Sequence, residues 1–272
     1  MQLKKKLSIS VIAVIALVAV ILGIQMNKGE HRVTPTTKIA SERIVSSPVP
    51  TVFIHGYLGG LKTFETMLKN YYLRDKDNSN IVTIAVQPDG KLVYQANTVK
   101  MVKHPLIKVY FENNKASVDQ QLKWTEAVMR KVAVLYKTTN VNIVAHSMGG
   151  ITATKYIIDT SNDKRYPKVD QFVTLSSPIK GWKKTTVTNP AERDLLPGSA
   201  VLTEIYNNRD QFPSTVDVFS AYGTRDALVT ADSAKGLKDF TNNIITSGFD
   251  DDHSSIHEDP EVINSVYSFL MN

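Results

Sequence analysis

The residue whose surroundings best fit chemistry is Ser147, which stands between an apolar run and a segment able to form a helix. Its neighbours read Ala145-His146-Ser147-Met148-Gly149, with small residues two positions before and after the serine. A nucleophilic serine at a strand-to-helix turn needs this spacing, because larger side chains would collide with the adjoining strand and helix. The helix start predicts that the Met148 N–H stabilises a developing oxyanion. A serine that merely caps the helix is the alternative.

A glycine turn early in the chain is the second feature that fits this chemistry. Residues 52–60 read as a short apolar strand followed by His55-Gly56-Tyr57. An oxyanion hole needs two backbone donors, one after the nucleophile and one from a loop of this kind. The Tyr57 N–H is therefore the predicted second donor, and His55 is interpreted as a residue that orients the loop rather than as a base. A glycine-rich turn without a catalytic role is the alternative.

The elements that would position these residues alternate between short β-branched runs and longer helical patterns. The clearest helix is predicted over Ala116–Tyr136, where apolar residues recur at spacings of three, four and seven, with Ser117 or Asp119 as its N-cap. Strands that alternate with helices indicate an α/β domain with a largely parallel, buried sheet. The predicted strands are Thr51–His55, Ile81–Val86, Leu106–Phe111, Val141–Ala145, Gln171–Leu175, Val216–Tyr222 and Asn243–Thr246.

Two segments interrupt this alternation. Residues 87–112, which begin with a Pro88-Asp89-Gly90 turn, predict an inserted extra strand or hairpin at a sheet edge. Residues 178–213 are rich in Lys, Thr, Asn and Pro and predict a small cap over the sheet. The apolar residues of this cap either line an acyl pocket or pack the cap onto the sheet. They are Trp182, Leu195, Leu196, Val201, Leu202, Ile205 and Tyr206.

Short motifs in a fixed order resemble the α/β-hydrolase superfamily. They are His55-Gly56, residues 145–150, Ser176-Ser177-Pro178, residues 223–229 and the segment around His253. Within that superfamily, residues 50–272 resemble the lipase-like cell-surface hydrolases of Gram-positive bacteria. The resemblance implies an α/β-hydrolase fold, with a mostly parallel central sheet flanked by helices, a small cap and an edge-strand insertion. It also implies that the nucleophile, the acid and the histidine follow one another in that order along the chain.

Two histidines near the C-terminus compete for the role of general base. The family's catalytic histidine resembles one followed five residues later by Glu and seven later by Pro, which matches His253, Glu258 and Pro260. His257 is then a supporting or helix-capping residue before a terminal helix predicted at Glu261–Leu270. The other histidines of interest are His31 in the N-terminal tether, His104 in the edge insertion and His146, which is predicted to face away from the reacting atom.

The acid that orients the base must lie on a loop after a strand and before the histidine. Asp226 meets this requirement and heads an Asp-x-x-Val pattern, as the family resemblance implies. Asp232 is the alternative, although it is also suited to be the N-cap of a helix. The run Asp250–Asp252 indicates either a cation site or a set of solvated carboxylates.

The N-terminal segment is predicted to direct the protein to a membrane. Lys4–Lys6 precede an uncharged stretch of 18 residues, Leu7–Ile24, which as a helix is about 27 Å long and can span a bilayer. Lysines on that side keep the N-terminus in the cytoplasm and everything after residue 26 outside. Residues 1–26 are therefore an uncleaved anchor or a cleaved signal peptide, 27–50 a polar tether and 51–272 the hydrolase domain. We expect the protein at the cell membrane, or secreted if the segment is cleaved.

Composition narrows the function further. Among 272 residues the net charge is +6, and half of it lies in the N-terminal lysines, so the remainder is too balanced to imply nucleic-acid binding. Cysteine is absent, which excludes disulfides, thiolate metal sites and a cysteine nucleophile. The sequence shows neither zinc-site spacing nor a nucleotide-binding glycine motif, so neither a metal nor a cofactor is expected.

Together these features predict a serine hydrolase that cleaves small-molecule or lipid esters through an acyl-enzyme. Ser147 is the expected nucleophile, His253 the base and Asp226 its partner. The residues expected to support them are His55, Gly56, His146 and Gly149. Two alternatives stay open: an acyltransferase that uses the same acyl-enzyme, and a non-catalytic surface-binding module on the same fold.

Overall fold

The computed structural model describes residues 48–95 and 101–271. The strands of this part are β1 (Thr51–Ile54), β2 (Ser79–Val86), β3 (Leu92–Gln95), β4 (His104–Phe111), β5 (Asn140–His146), β6 (Lys168–Leu175), β7 (Asp217–Gly223) and β8 (Ile244–Phe249). The helices are α1 (Glu65–Arg74), α2 (Val118–Tyr136), α3 (Met148–Thr160), α4 (Pro190–Asp194), α5 (Ala200–Asn207), α6 (Ala231–Ala234) and α7 (Pro260–Met271). Short 3-10 turns lie at Arg209–Gln211 and Lys235–Asp239.

The strands of this part form one sheet in the order β3-β2-β4-β1-β5-β6-β7-β8. All neighbouring strands are parallel except β2 and β3, which are antiparallel. The predicted parallel sheet and the additional edge strand are therefore confirmed. In a sheet of this kind the carboxyl ends of neighbouring strands meet at one edge, where ligands and reactive groups collect.

The position of β4 corrects one prediction. The sequence predicts residues 87–112 as an extra strand or hairpin at a sheet edge. Of this segment β3 does lie at an edge, but β4 pairs with β1 on one side and with β2 on the other. The alternating polar residues of β4 give it the pattern of an edge strand. Those side chains find partners in the structure: Lys108 Nζ donates to the Leu61 carbonyl at 2.7 Å, and His104 bonds to Asp75 at 2.8 Å. His104 is therefore part of an internal strand.

Helices pack on both faces of the sheet through their buried apolar residues. On α2, Ser117 is the N-cap and accepts a hydrogen bond from Gln120 N, so the predicted choice between Ser117 and Asp119 falls on the serine. The buried stripe of α2 packs with α3 on one face of the sheet, while α1 and α7 pack on the other. This two-sided burial explains why the central strands are apolar on both faces.

The segment predicted as a cap carries α4 and α5, each with a side-chain N-cap, Asn189 and Ser199. Its apolar residues Leu195, Val201, Leu202 and Ile205 are at most 5% exposed and join the main core, so they pack the cap onto the domain. Two of the remaining residues, Trp182 and Leu196, line an open cleft of about 500 Å³. The other residues that line it are Lys180, Gly181, Lys183, Lys184, Thr185, Pro197, Thr230, Asp232 and Ser233. The apolar cap residues thus pack the cap onto the domain, and two of them also line this cleft.

No helix within residues 48–95 and 101–271 is long and apolar enough to cross a bilayer. The span predicted at residues 7–24 and the tether as far as residue 47 lie outside the described residues.

Candidate active site

Ser147 occupies the turn between β5 and α3. Its backbone has φ 54° and ψ −127°, a left-handed conformation that a residue with a Cβ rarely adopts. The turn is held on both sides, because Ser147 N donates to Leu175 O and Gly150 N donates to Ser147 O, each at 2.9 Å. A strained serine at a strand-to-helix turn raises its Oγ above the carboxyl end of the sheet. Ser147 is therefore no ordinary helix cap, and its side chain makes no capping hydrogen bond.

The small residues around the serine let the turn approach β1. A Cβ built on Gly149 would lie 2.5 Å from the Ile54 carbonyl oxygen and 2.7 Å from that of His55. Both obstacles are backbone atoms, which cannot move aside as the end of a flexible side chain can. The second small position of the motif is thus required by the contact between α3 and β1.

His253 and Asp226 lie beside Ser147 and form a hydrogen-bonded chain with it. His253 Nε2 is 2.9 Å from Ser147 Oγ, and His253 Nδ1 is 2.8 Å from Asp226 Oδ2. With Nδ1–H donating to the carboxylate, Nε2 is left as the acceptor for the serine hydroxyl proton. The arrangement can therefore deprotonate the serine during attack on a carbonyl group.

Asp226 is fixed from its other side as well. Its side chain is 1% exposed, and Oδ1 accepts the N–H groups of Leu228 and Val229, each at 2.8 Å. Burial by itself raises the pKa of this carboxyl, but the hydrogen bonds from His253, Val229 and Leu228 outweigh it and lower the pKa below its ordinary value. The group is consequently ionised at neutral pH and can stabilise an imidazolium.

Asp232, the alternative acid, lies elsewhere. Its side chain is 80% exposed and pairs with Lys180 Nζ at 3.4 Å. Nor is it the N-cap of α6, as the sequence suggested: Thr230 takes that role by accepting a hydrogen bond from Ser233 N at 3.0 Å.

His257, the alternative base, does not contact the serine. It is buried between Phe64 and His146, with ring centroids 5.5 and 5.2 Å away. Burial lowers the pKa of His257. The helix-capping role also belongs to another residue, since Asp259 Oδ1 accepts the N–H groups of Glu261 and Val262 at the start of α7. His257 is a packing residue behind the site.

His146 contacts the loop that carries His253. Its ring lies 5.0 Å from that of His253, and Nε2 donates to the His253 carbonyl oxygen at 2.8 Å. Burial, together with the neighbouring histidines, lowers the pKa of His146 well below its ordinary value, so the ring is neutral. The residue beside the nucleophile thereby ties down the backbone of the histidine loop.

The loop after β1 reaches the serine turn at Gly56. A Cβ built there would lie 2.7 Å from Ser147 Cβ and 3.1 Å from Met148 N. Neither the Tyr57 N–H nor the Met148 N–H has a hydrogen-bond acceptor among the described residues. Two free backbone donors beside the serine are what an oxyanion hole requires.

His55 holds this loop. Its Nδ1 bonds to the Gly56 carbonyl at 2.8 Å, and its Nε2 accepts the Phe111 N–H at 3.0 Å. Burial lowers the pKa of His55 to about 4, so the ring is neutral and both of its nitrogens are occupied. It is placed to orient the loop and has no free nitrogen with which to act as a base.

The three carboxylates of Asp250–Asp252, next to His253, each contact nearby residues. Asp250 pairs with Arg225, and Asp252 accepts the N–H groups of Ser254 and Ser255. Asp251 differs from the solvated carboxylate that the sequence suggested, because it is 7% exposed and accepts the Ser255 hydroxyl at 2.6 Å. Within residues 48–95 and 101–271, no group of His, Asp and Glu side chains could hold a metal ion.

One contact to the site is not predictable from the local sequence. The hydroxyl of Tyr57 donates to Glu192 of α4 at 3.1 Å and accepts from Asn189 Nδ2 at 3.0 Å. The local signal is an N-cap Asn followed three residues later by Glu, which is typical of a helix start. That pattern predicts a helix but not the tyrosine, which lies more than a hundred residues earlier in the chain.

Comparisons with known proteins agree with this architecture. A family model described as alpha/beta hydrolase of unknown function (DUF915) matches residues 38–272. A crystal structure from Listeria innocua aligns with 23% identity and a TM-score of 0.72, covering 82% of this chain and 94% of that one. No curated protein sequence matches the chain.

Two further solved structures are also similar to this chain over most of its length. A putative cell surface hydrolase from Lactobacillus plantarum aligns with 18% identity and a TM-score of 0.67, covering 84% of this chain and 91% of its own. Est1E from Butyrivibrio proteoclasticus aligns with 14% identity and a TM-score of 0.51, covering 83% and 88%. At these identities the likeness shows a shared fold.

Proposed function

Because the chain belongs to the alpha/beta hydrolase family of unknown function whose model matches residues 38–272, and is thus a hydrolase, we propose that it cleaves carboxylic esters with Ser147, His253 and Asp226 as its catalytic triad. The observation that carries the proposal is the hydrogen-bonded chain from Ser147 Oγ through His253 to Asp226, at 2.9 and 2.8 Å. Esters are favoured because structures of the same fold are named as esterases and lipases, among them an esterase from Pyrococcus furiosus and a monoacylglycerol lipase from Paleococcus ferrophilus.

In the first half of the reaction, Ser147 Oγ attacks the carbonyl carbon while its proton passes to His253 Nε2. The carbonyl oxygen becomes an oxyanion and accepts hydrogen bonds from the N–H groups of Tyr57 and Met148. Asp226 keeps the proton on Nδ1 and stabilises the imidazolium. Collapse of the tetrahedral intermediate breaks the C–O bond, and His253 returns its proton to the departing alcohol.

In the second half, water replaces the alcohol. His253 takes a proton from the water as its oxygen attacks the acyl carbon, and the same two N–H groups stabilise the second oxyanion. Ser147 then leaves with the proton from His253, and the acid product is released. An alcohol in place of water would give a transferred acyl group by the same steps.

The test uses a fluorophosphonate, which reacts with activated serines. We expect wild-type protein to be labelled and to hydrolyse a short-chain chromogenic ester, and Ser147→Ala to do neither. Ser161→Ala is the matched control, because it removes a serine at the opposite end of α3 and should leave both signals unchanged. Equal labelling of wild type and Ser147→Ala refutes the triad, and ligand binding without any ester hydrolysis favours a non-catalytic module.

We further propose that the N-terminal segment places this domain on the outer side of the cell membrane. The support is the run of lysines followed by the 18 uncharged residues Leu7–Ile24. Protease added to intact cells should therefore degrade the domain, and N-terminal sequencing of the membrane-bound protein should begin at residue 1 or 2 if the segment is an anchor. Protection from the protease in intact cells refutes this orientation.

A further inference from the structure

The cap contains a buried carboxylate that the proposed reaction does not use. Glu192, the third residue of α4, is 2% exposed. Its Oε2 accepts the Thr188 N–H at 2.6 Å and the Thr188 hydroxyl at 2.8 Å, while Oε1 accepts Lys184 Nζ and the Tyr57 hydroxyl. The contact with Lys184, followed by those with Thr188 and Tyr57, lowers the pKa of Glu192 to about 2. Glu192 is therefore an anion with every lone-pair direction used.

The tyrosine at the end of this network is held on all sides. Its hydroxyl donates to Glu192 and accepts from Asn189 Nδ2, so its single proton and one lone pair are both assigned. Its ring packs edge-on against Trp182 of the cap, with centroids 6.1 Å apart. The cap thus fixes both the position and the rotation of the Tyr57 side chain.

The backbone of this same tyrosine carries the proposed oxyanion donor. The Tyr57 N–H comes directly after Gly56, and a Cβ built on Gly56 would lie 2.7 Å from Ser147 Cβ. In the described part of the chain, no acceptor forms a hydrogen bond with this N–H. His55 holds the loop from the domain side through Phe111 N. The loop is therefore clamped between the sheet, through His55, and the cap, through the Tyr57 hydroxyl.

We propose that Glu192 is a positioning residue: from the cap it holds the Tyr57 side chain, and through it the Tyr57 N–H, at the place where the oxyanion forms. The proposal rests on the ester hydrolase function proposed above. Its chemical reason is that a backbone donor stabilises a transition state only if it is already aimed when charge develops. A charged acceptor inside a saturated network aims it more firmly than a neutral one, since hydrogen bonds to ionised groups are roughly twice as strong.

The test replaces the charge without changing the shape of the side chain. Glu192→Gln removes the charge and replaces one of the two acceptor oxygens by an NH₂ group, so the side chain can no longer accept from both Thr188 and the Lys184–Tyr57 pair. We therefore expect kcat to fall about 10- to 100-fold, less than the roughly 10² to 10³ for removing an oxyanion donor. KM for a short-chain ester should stay within about threefold, because the donor acts on the transition state. Tyr57→Phe keeps the ring on Trp182, removes the hydroxyl and should lose a similar factor.

The double variant separates positioning from general damage. If Glu192 acts through the Tyr57 hydroxyl, Glu192→Gln combined with Tyr57→Phe loses no more kcat than either change alone. Glu204→Gln is the matched control, because Glu204 is another cap carboxylate but pairs with Lys155 of α3, away from the loop. It should lower the melting temperature and leave kcat within twofold.

The outcomes are distinct. An active wild type with an unchanged kcat in Glu192→Gln overturns the positioning role while leaving the ester hydrolase intact. The positioning role is also overturned if kcat losses multiply in the double variant, or if the Glu204→Gln control loses as much kcat. A wild type that neither reacts with the fluorophosphonate nor hydrolyses esters overturns the proposed function and this inference with it.

Discussion

The contact between Gly56 and the serine turn can be probed with one methyl group. In Gly56→Ala, the new Cβ would lie 2.7 Å from Ser147 Cβ, 2.9 Å from the His146 carbonyl oxygen and 3.1 Å from Met148 N. Carbon atoms in contact are about 3.5 to 4.0 Å apart, so the loop and the turn must separate by roughly 1 Å. None of the three obstacles is the end of a flexible side chain, and the turn itself is fixed by its hydrogen bonds to Leu175 and Gly150.

That separation moves one proposed oxyanion donor away from the other. A misplacement of about 1 Å costs on the order of 10² in rate, which corresponds to about 2.7 kcal/mol of transition-state stabilisation. We expect kcat/KM for a short-chain ester to fall by about this factor and the second-order rate of fluorophosphonate labelling to fall with it. Overpacking should also reduce the free energy of unfolding by about 1 to 3 kcal/mol.

Gly60→Ala is the control for this prediction. Gly60 lies in the same loop, and a Cβ built there meets nothing within 4 Å. The control should keep wild-type activity and labelling, which separates steric displacement from a general stiffening of the loop. If Gly56→Ala keeps kcat/KM within threefold of wild type, the tight approach of this loop does not position the donor, and the reasoning is refuted.

Two further predictions follow from the carboxylates. Asp226→Asn keeps the side-chain shape but favours the wrong tautomer of His253, so kcat should fall by about 10⁴, measured with the same ester; a loss below tenfold would contradict the role of Asp226. Because the pKa of Glu192 falls from an ordinary 4.5 to about 2 on folding, its contribution to stability is complete above pH 5 and is lost as the pH falls toward 2. Urea unfolding should therefore show a smaller loss of stability between pH 5 and pH 2.5 in Glu192→Gln than in wild type, and parallel curves would contradict it.

The fold was predictable where local patterns are strong. The seven predicted strands match observed ones to within about three residues at each end, since β-branched runs flanked by turns favour strands. The exception is the placement of β4, whose alternating Lys108 and Tyr110 look like an exposed edge. Lys108 is nevertheless internal because the Leu61 carbonyl receives its ammonium group, a contact between residues 47 positions apart that no local pattern carries.

In the candidate site, too, some features are predictable from local sequence and others are not. Ser147, with small residues around it, is readable from the sequence because a strained turn between a strand and a helix constrains residues that are adjacent in the chain. The choice between two histidines four residues apart, or between Asp226 and Asp232, depends on which side chain the loops point at the serine. Only the tertiary structure shows His253 at 2.9 Å from Ser147 and Asp226 at 2.8 Å from His253.

The sequence by itself therefore determined the alternation of strands and helices and the position of the serine turn, because both follow from side-chain size and polarity over a few consecutive residues. The expected order of nucleophile, acid and histidine came from the resemblance to the α/β-hydrolase superfamily. The tertiary structure decided which side chains form hydrogen bonds with residues distant in the chain. His146 tied to the His253 carbonyl, and Glu192 holding the Tyr57 hydroxyl, join residues 107 and 135 positions apart. Such contacts depend on where whole elements pack, and that is set by the burial of apolar surface over the complete domain rather than by the residues that meet.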